Sequence, residues 1–161
     1  MTRRTLLAAA VSSACAPREE ISVVDWPRVN QLAAHAPGVV YFWALWSRPS
    51  VELLSTVAEL ADQYDELRCA AVCLDDDPSA ATGRALSVIH ALPVSLTHFI
   101  APLDFERLEA DYQLTEPPAA VIIARSGVPL ARLQGDGLTP DRLDAFAAEA
   151  AAIMTTPPSG R

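Results

Sequence analysis

The sequence predicts an α/β domain in which a central mixed sheet is covered by helices on both faces. Three observations predict it. Apolar runs of strand length alternate with segments whose apolar residues recur every three or four positions. Two strand-like runs near the carboxyl end flank Arg125-Ser126-Gly127, a tight hairpin connection. A last amphipathic helix follows that hairpin. Crossovers through helices give parallel pairs and the hairpin gives an antiparallel pair, so the sheet must be mixed.

Each element has its own signal. Ile21 to Val24 reads as a short strand, and Asp25 and Pro27 open a helix to about His35. Val39-Val40-Tyr41-Phe42-Trp43-Ala44 is a buried-strand run bounded by Pro37-Gly38. Pro49 starts a helix whose apolar residues Leu53, Leu54, Val57, Leu60, Ala61 and Tyr64 keep helical spacing. Cys69 to Leu74 is another strand, and Asp75-Asp76-Asp77-Pro78 then begins a helix to about Ala91. Asp104 caps a short helix ending near Tyr112. Ala119 to Ala124 and Val128 to Gln134 are the hairpin strands. Thr139-Pro140 opens the final helix, with Leu143, Phe146, Ala147 and Ala150 on one face. The domain so defined runs from 21 to 154, and 155–161 is expected to be a disordered tail.

Bulk properties narrow the function classes. A chain of 161 residues, 51% apolar and 20% charged, fits one domain with a proper core, and it contains no internal repeat. Its 12 basic residues are all arginine, against 20 acidic ones, for a net charge of −8. An acidic surface without a basic cluster excludes the usual mode of nucleic-acid binding, which needs several cations on phosphates.

Residues 1–15 read as an export signal. Met1 to Arg4 is a basic start, Leu6 to Val11 an apolar core, and Ser12, Ser13 and Ala14 are small. The core is far shorter than the roughly 20 apolar residues of a spanning helix. Thr2-Arg3-Arg4-Thr5-Leu6-Leu7 also resembles a twin-arginine motif. Ser13-Ala14-Cys15 resembles the end of a lipoprotein box, making Cys15 the lipid-modified first mature residue, although Ser12 departs from the aliphatic residue usual there. The rival is cleavage after Ala14-Cys15-Ala16, which discards the cysteine. The short core favours the lipoprotein. Residues 16–20 are then a polar linker.

Phe42-Trp43-Ala44-Leu45-Trp46-Ser47-Arg48-Pro49-Ser50 resembles the active-site segment of the thioredoxin superfamily. There a strand reading F-W-A-x-W precedes C-x-P-C on the first helical turn. Tyr112 through Ile123 looks like the family's cis-proline segment, with Pro118 at that position, and Gly127 and Gly135 fall where the closing hairpin turns and ends. The stretch between about Pro78 and Tyr112, with the leader, looks most like the TlpA/ResA-like membrane-anchored thiol–disulfide reductases. The resemblance covers about residues 37–150 and implies a thioredoxin-like fold.

The departures bear on function. Ser47 and Ser50 stand where the resemblance places two cysteines. Disulfide exchange needs an attacking thiolate and a resolving thiol, and a serine hydroxyl is neither. Glu52 lies one position before the place where these reductases carry an acid, which Leu53 occupies, and Ser55 replaces a usual proline. The resemblance implies that the residue before Pro118 pairs with an extended substrate segment, and here it is Pro117, which has no N–H to donate.

Other candidates are weaker. Cys69 and Cys73 on one strand would lie roughly 13 Å apart, beyond the ~7 Å reach of a disulfide, so they read as small core residues. Asp75-Asp76-Asp77 could suit a hard cation and is better read as a solvated helix cap. His35, His90 and His98 lack metal-ligand spacing and receive no role. Trp43 should be core, and the resemblance implies that Trp46 is exposed. Ser47 either caps its helix or donates to a bound anion.

The expectation is a redox-inactive envelope protein on the periplasmic side, anchored to the membrane by lipid at Cys15. It would bind an unidentified protein partner through Trp46, Ser47, Arg48, Pro49, Ser50, Pro117 and Pro118, with no catalytic residue, metal, cofactor or nucleic acid. The alternatives are an enzyme using Ser47 to bind and activate a small thiol such as glutathione, and an inactivated thiol–disulfide oxidoreductase.

Overall fold

The computed structural model describes residues 20–155 apart from 36, 37, 65, 66, 94, 95 and 125. The leader at 1–15, Cys15, most of the linker and residues 156–161 of the expected tail lie outside the described residues. Six strands form one sheet: β1 (Ile21–Val23), β2 (Gly38–Trp43), β3 (Arg68–Asp75), β4 (Thr97–Pro102), β5 (Ala119–Ile123) and β6 (Pro129–Gln134). Their spatial order is β1-β4-β3-β2-β5-β6. Pairing is parallel from β1 through β2 and antiparallel across β2–β5 and β5–β6. The mixed sheet read from the sequence is therefore present.

The helices are α1 (Trp26–His35), α2 (Arg48–Glu52), α3 (Leu54–Gln63), α4 (Pro78–Ile89), α5 (Phe105–Arg107) and α6 (Pro140–Thr155). A π-helical turn, Leu108–Tyr112, continues α5, and Gln113 ends it in the left-handed conformation at φ 55°. Thr155, expected in the tail, closes α6. Acidic caps set three of the starts. Asp25, Asp77 and Asp104 accept from the backbone N–H groups of Arg28, Ala80 and Arg107 at 3.0, 3.1 and 3.0 Å.

β2 is buried at all six positions, and its alternating side chains feed two cores. Val39, Tyr41 and Trp43 pack with Leu54, Val57, Ala85, Leu143 and Phe146, from α3, α4 and α6. Val40 and Phe42 pack on the opposite face with Trp26 and Val29 of α1 and with Leu108 and Tyr112. On that second face Phe42 and Tyr112 meet at 5.0 Å between ring centroids, and Trp26 flanks both. The Tyr112 hydroxyl donates to Asn30 Oδ1 at 2.8 Å, tying the π-helical turn to α1. Gly38 is required where β2 meets β3, because a Cβ there would run into the Arg68 carbonyl.

Two readings need correction. β4 was not foreseen. Its sequence, Thr97-His98-Phe99-Ile100-Ala101-Pro102, carries a buried histidine and ends on proline, which breaks the apolar run expected of an inner strand. β4 nevertheless lies between β1 and β3, and α4 is the crossover that places it there. The helix expected from Pro49 onward is divided at Leu53 into α2 and α3.

Candidate functional site

β2 ends at Trp43, and Ala44 to Ser47 turn into α2, with the Ser47 N–H donating to the Ala44 carbonyl at 3.1 Å. Phe42 pairs with Ala119, so Pro117 and Pro118 sit at this same end of the sheet, just before β5. The Pro117–Pro118 peptide is cis, as expected for Pro118. The Gly135 N–H donates to the Pro118 carbonyl at 3.1 Å, and Thr115 N–H to Gln134 Oε1 at 3.0 Å; both bonds hold the loop against the end of β6.

The seven residues grouped from sequence separate by exposure. Trp46 is 56% exposed, and Arg48 and Pro49 are also exposed. Ser47 is buried at 8%, Ser50 is fully buried, and both prolines are buried. Trp43 is in the core, as read. Its indole N–H has no hydrogen-bond partner among the described residues.

Ser50 is a structural residue here. Its hydroxyl oxygen accepts the Ala44 N–H at 3.0 Å and lies 3.0 Å from the Ala44 carbonyl and 2.7 Å from the Ser47 carbonyl, to which it donates. The Tyr41 hydroxyl donates to the Ser50 carbonyl at 2.8 Å. Nothing in the sequence pattern beyond the inward phase of Tyr41 signalled this cluster.

Ser47 does not cap the helix by its side chain, correcting one expectation. It occupies the N-cap position with extended φ and ψ, but its hydroxyl makes no cap hydrogen bond. An N-cap oxygen takes its bond from the second or third helical N–H, and Pro49 removes the second. Arg48 instead reaches Glu52, Nε to Oε1 at 2.7 Å, across one exposed turn. Such an exposed pair contributes little to stability.

Cys69 and Cys73 are free thiols of β3, as read. Burial pushes the Cys69 thiol up to about 12. Burial does the same for Cys73, to about 12, aided by the Asp75 carboxylate and opposed by the Leu45 backbone and Arg84. Both stay protonated thiols at neutral pH and are poor nucleophiles. Asp75 accepts the Asp77 N–H at 3.0 Å and lies 3.8 Å from Arg84, so this acidic run is a turn and cap. Among the described residues no cluster of histidine, cysteine or carboxylate is arranged to hold a metal ion.

Solved structures share this architecture. A Chlorobium tepidum protein described as a thiol:disulfide interchange protein, DsbE, superposes with a TM-score of 0.59 at 21% identity, over 77% of this chain and 84% of its own. The fold is thioredoxin-like. A pneumococcal exposed lipoprotein thioredoxin from Streptococcus pneumoniae gives 0.56 at 16% identity, covering 74% of this chain and 89% of that one. A secreted Mycobacterium tuberculosis disulfide oxidoreductase gives 0.54 at 15%, covering 73% and 85%. No family model and no curated protein matches the chain. At these identities the likeness speaks for the fold, and the chemistry rests on the residues themselves.

Proposed function

We propose that this thioredoxin-like protein is redox-inactive and binds another protein through the exposed part of its β2–α2 end, with Trp46, Arg48 and Pro49 outermost. One observation carries the reading: the scaffold of that end is intact while its two hydroxyl residues are unsuited to exchange. Ser50 is enclosed in four short-range polar contacts with Tyr41, Ala44 and Ser47, so it serves the fold. The remaining thiols are held in β3 and protonated by burial. An exposed tryptophan beside an arginine has the composition of a binding anchor.

The proposal includes export, with Cys15 as the lipid-bearing first mature residue on the periplasmic side of the envelope. The basic–apolar–small leader supports it, and two of the similar structures are described as a secreted protein and an exposed lipoprotein. Among the described residues no helix is long and apolar enough to cross a membrane, so attachment would come from the leader.

A second reading, Ser47 as the donor that activates a small thiol, is favoured by the Ser47 hydroxyl making no cap bond. Crosslinking and capture from envelope fractions, wild type against Trp46→Glu, tests the binding reading. Loss of one specific crosslinked species in a folded Trp46→Glu protein supports it. Capture unchanged by that substitution overturns it.

A further inference from the structure

The register of the sheet sets exposed Trp46 between two acidic flanks. Trp46 lies past the end of β2, the strand that β3 and β5 border on either side. On the β3 side Trp43 pairs with Cys73, so Asp76 and Asp77, which follow the last residue of β3, come to this end. On the β5 side Phe42 pairs with Ala119 and Ala119 with Gln134, which brings Glu116 and Asp136 there. The Gly135 N–H on the Pro118 carbonyl, at 3.1 Å, and the Thr115 N–H on Gln134 Oε1, at 3.0 Å, hold those last two segments together. All four carboxylate residues are exposed.

The charge of these flanks is not balanced from within. Residues 44–47, 76–77, 113–118 and 135–139, the connections at this end beside β2, β3, β5 and β6, contain no arginine. The arginines of the helices that follow are engaged locally. Arg48 meets Glu52 at 2.7 Å, Arg84 lies 3.8 Å from Asp75, and Arg142 Nη1 donates to the Gly137 carbonyl at 3.0 Å. Among the described residues no arginine pairs with Asp76, Asp77, Glu116 or Asp136. β3 and β5 each run roughly 5 Å from β2, which puts the flanks on the order of 10 Å apart, or about three residues of extended chain. We propose that the partner docking at Trp46 presents an extended basic–apolar–basic segment, its apolar residues against the indole and an arginine or lysine on each acidic flank. The apolar contact anchors the segment, and the cations steer it and fix its register. The assignment rests on the docking function proposed for this end and adds the charge and spacing of the partner.

The test titrates the full chain by calorimetry with the end-capped peptide Arg-Arg-Leu-Leu-Arg-Arg, at low and at physiological salt. Saturable one-to-one binding that weakens with salt is expected. Arg-Arg-Ser-Ser-Arg-Arg, without the apolar anchor, and Glu-Glu-Leu-Leu-Glu-Glu, with the charge reversed, should bind about tenfold more weakly or less. Glu116→Gln with Asp136→Asn, both at exposed positions, should weaken the basic peptide by about fivefold at low salt. Glu59→Gln with Asp62→Asn makes the same change of charge at exposed positions near the far end of α3 and should leave binding as in wild type. Equal weakening by the two pairs would show binding that follows net charge alone and overturns the proposal. Absence of saturable binding overturns it too, as does equal affinity for the acidic peptide. Failure of the basic peptide to bind, beside capture that Trp46→Glu still abolishes, removes this assignment while the docking function stands.

Discussion

The Ser50 hydroxyl accepts the Ala44 N–H at 3.0 Å, joining the first turn of α2 to the end of β2 inside the protein. The same oxygen donates towards the Ser47 carbonyl at 2.7 Å, so the turn between strand and helix closes on one side chain. A serine engaged in this way is unavailable to anything outside, and its neighbour Ser47 differs from it in making no such bond. The two positions, equivalent by sequence motif, therefore have different physical roles.

Their substitution should separate them. Ser50→Ala leaves the Ala44 N–H without its buried acceptor and should destabilise the fold by about 1–3 kcal/mol. Ser47→Ala removes no cap bond and should stay within about 0.5 kcal/mol of wild type. Urea midpoints of the two variants, measured side by side, check this. Equal losses would show that the Ser47 hydroxyl also has a structural partner.

The thiols predict the alkaline limit of stability. Cys69 and Cys73 are each raised from 9.0 to about 12 in the folded state. Above pH 9 the unfolded chain therefore releases these protons first, and unfolding becomes more favourable. Their stabilising contribution is complete below pH 9 and is lost as pH rises towards 12. Burial raises the Tyr41 and Tyr112 hydroxyls in the same direction. Denaturant midpoints taken from pH 8 to 11 should fall, and Cys69→Val with Cys73→Val should make the fall shallower. Both thiols should also alkylate slowly at pH 8 until denaturant is added.

At the exposed end, Trp46→Glu should reduce partner affinity by about 2 kcal/mol or more, the scale of an aromatic anchor. Its thermal transition should match wild type because Trp46 contributes to neither core. Ser47→Ala should leave capture intact, whereas a thiol-activating enzyme would lose turnover of a glutathione-type substrate. Insulin reduction should be absent in every variant.

Cys15 sets a test of the leader. In cells the protein should incorporate a palmitate analogue and partition into detergent, and Cys15→Ser should abolish both. The diacylglycerol and N-acyl chains of a mature lipoprotein anchor firmly, unlike a single chain. A soluble species beginning at Pro17 would establish cleavage after Ala16 instead.

The sequence by itself determined the strand–helix alternation, the acidic caps at Asp25, Asp77 and Asp104, and the inward Trp43. These depend on local spacing and on hydrogen bonds between residues close in the chain, which a sequence displays. It also placed both serines and Pro118 at one end of the sheet through the resemblance it carries. The tertiary structure decided what spacing cannot express. β4 is held by parallel ladders to β1 and β3, so its burial is set by strands distant in sequence, despite His98 and Pro102. The division of the seven-residue face into exposed Trp46, Arg48 and Pro49 and buried Ser47, Ser50, Pro117 and Pro118 likewise needs the packed fold. Residues three apart on a first turn look alike in sequence. Only Tyr41 of the strand beneath them, with Ala44 just past its end, makes one of them an interior hydrogen-bond centre.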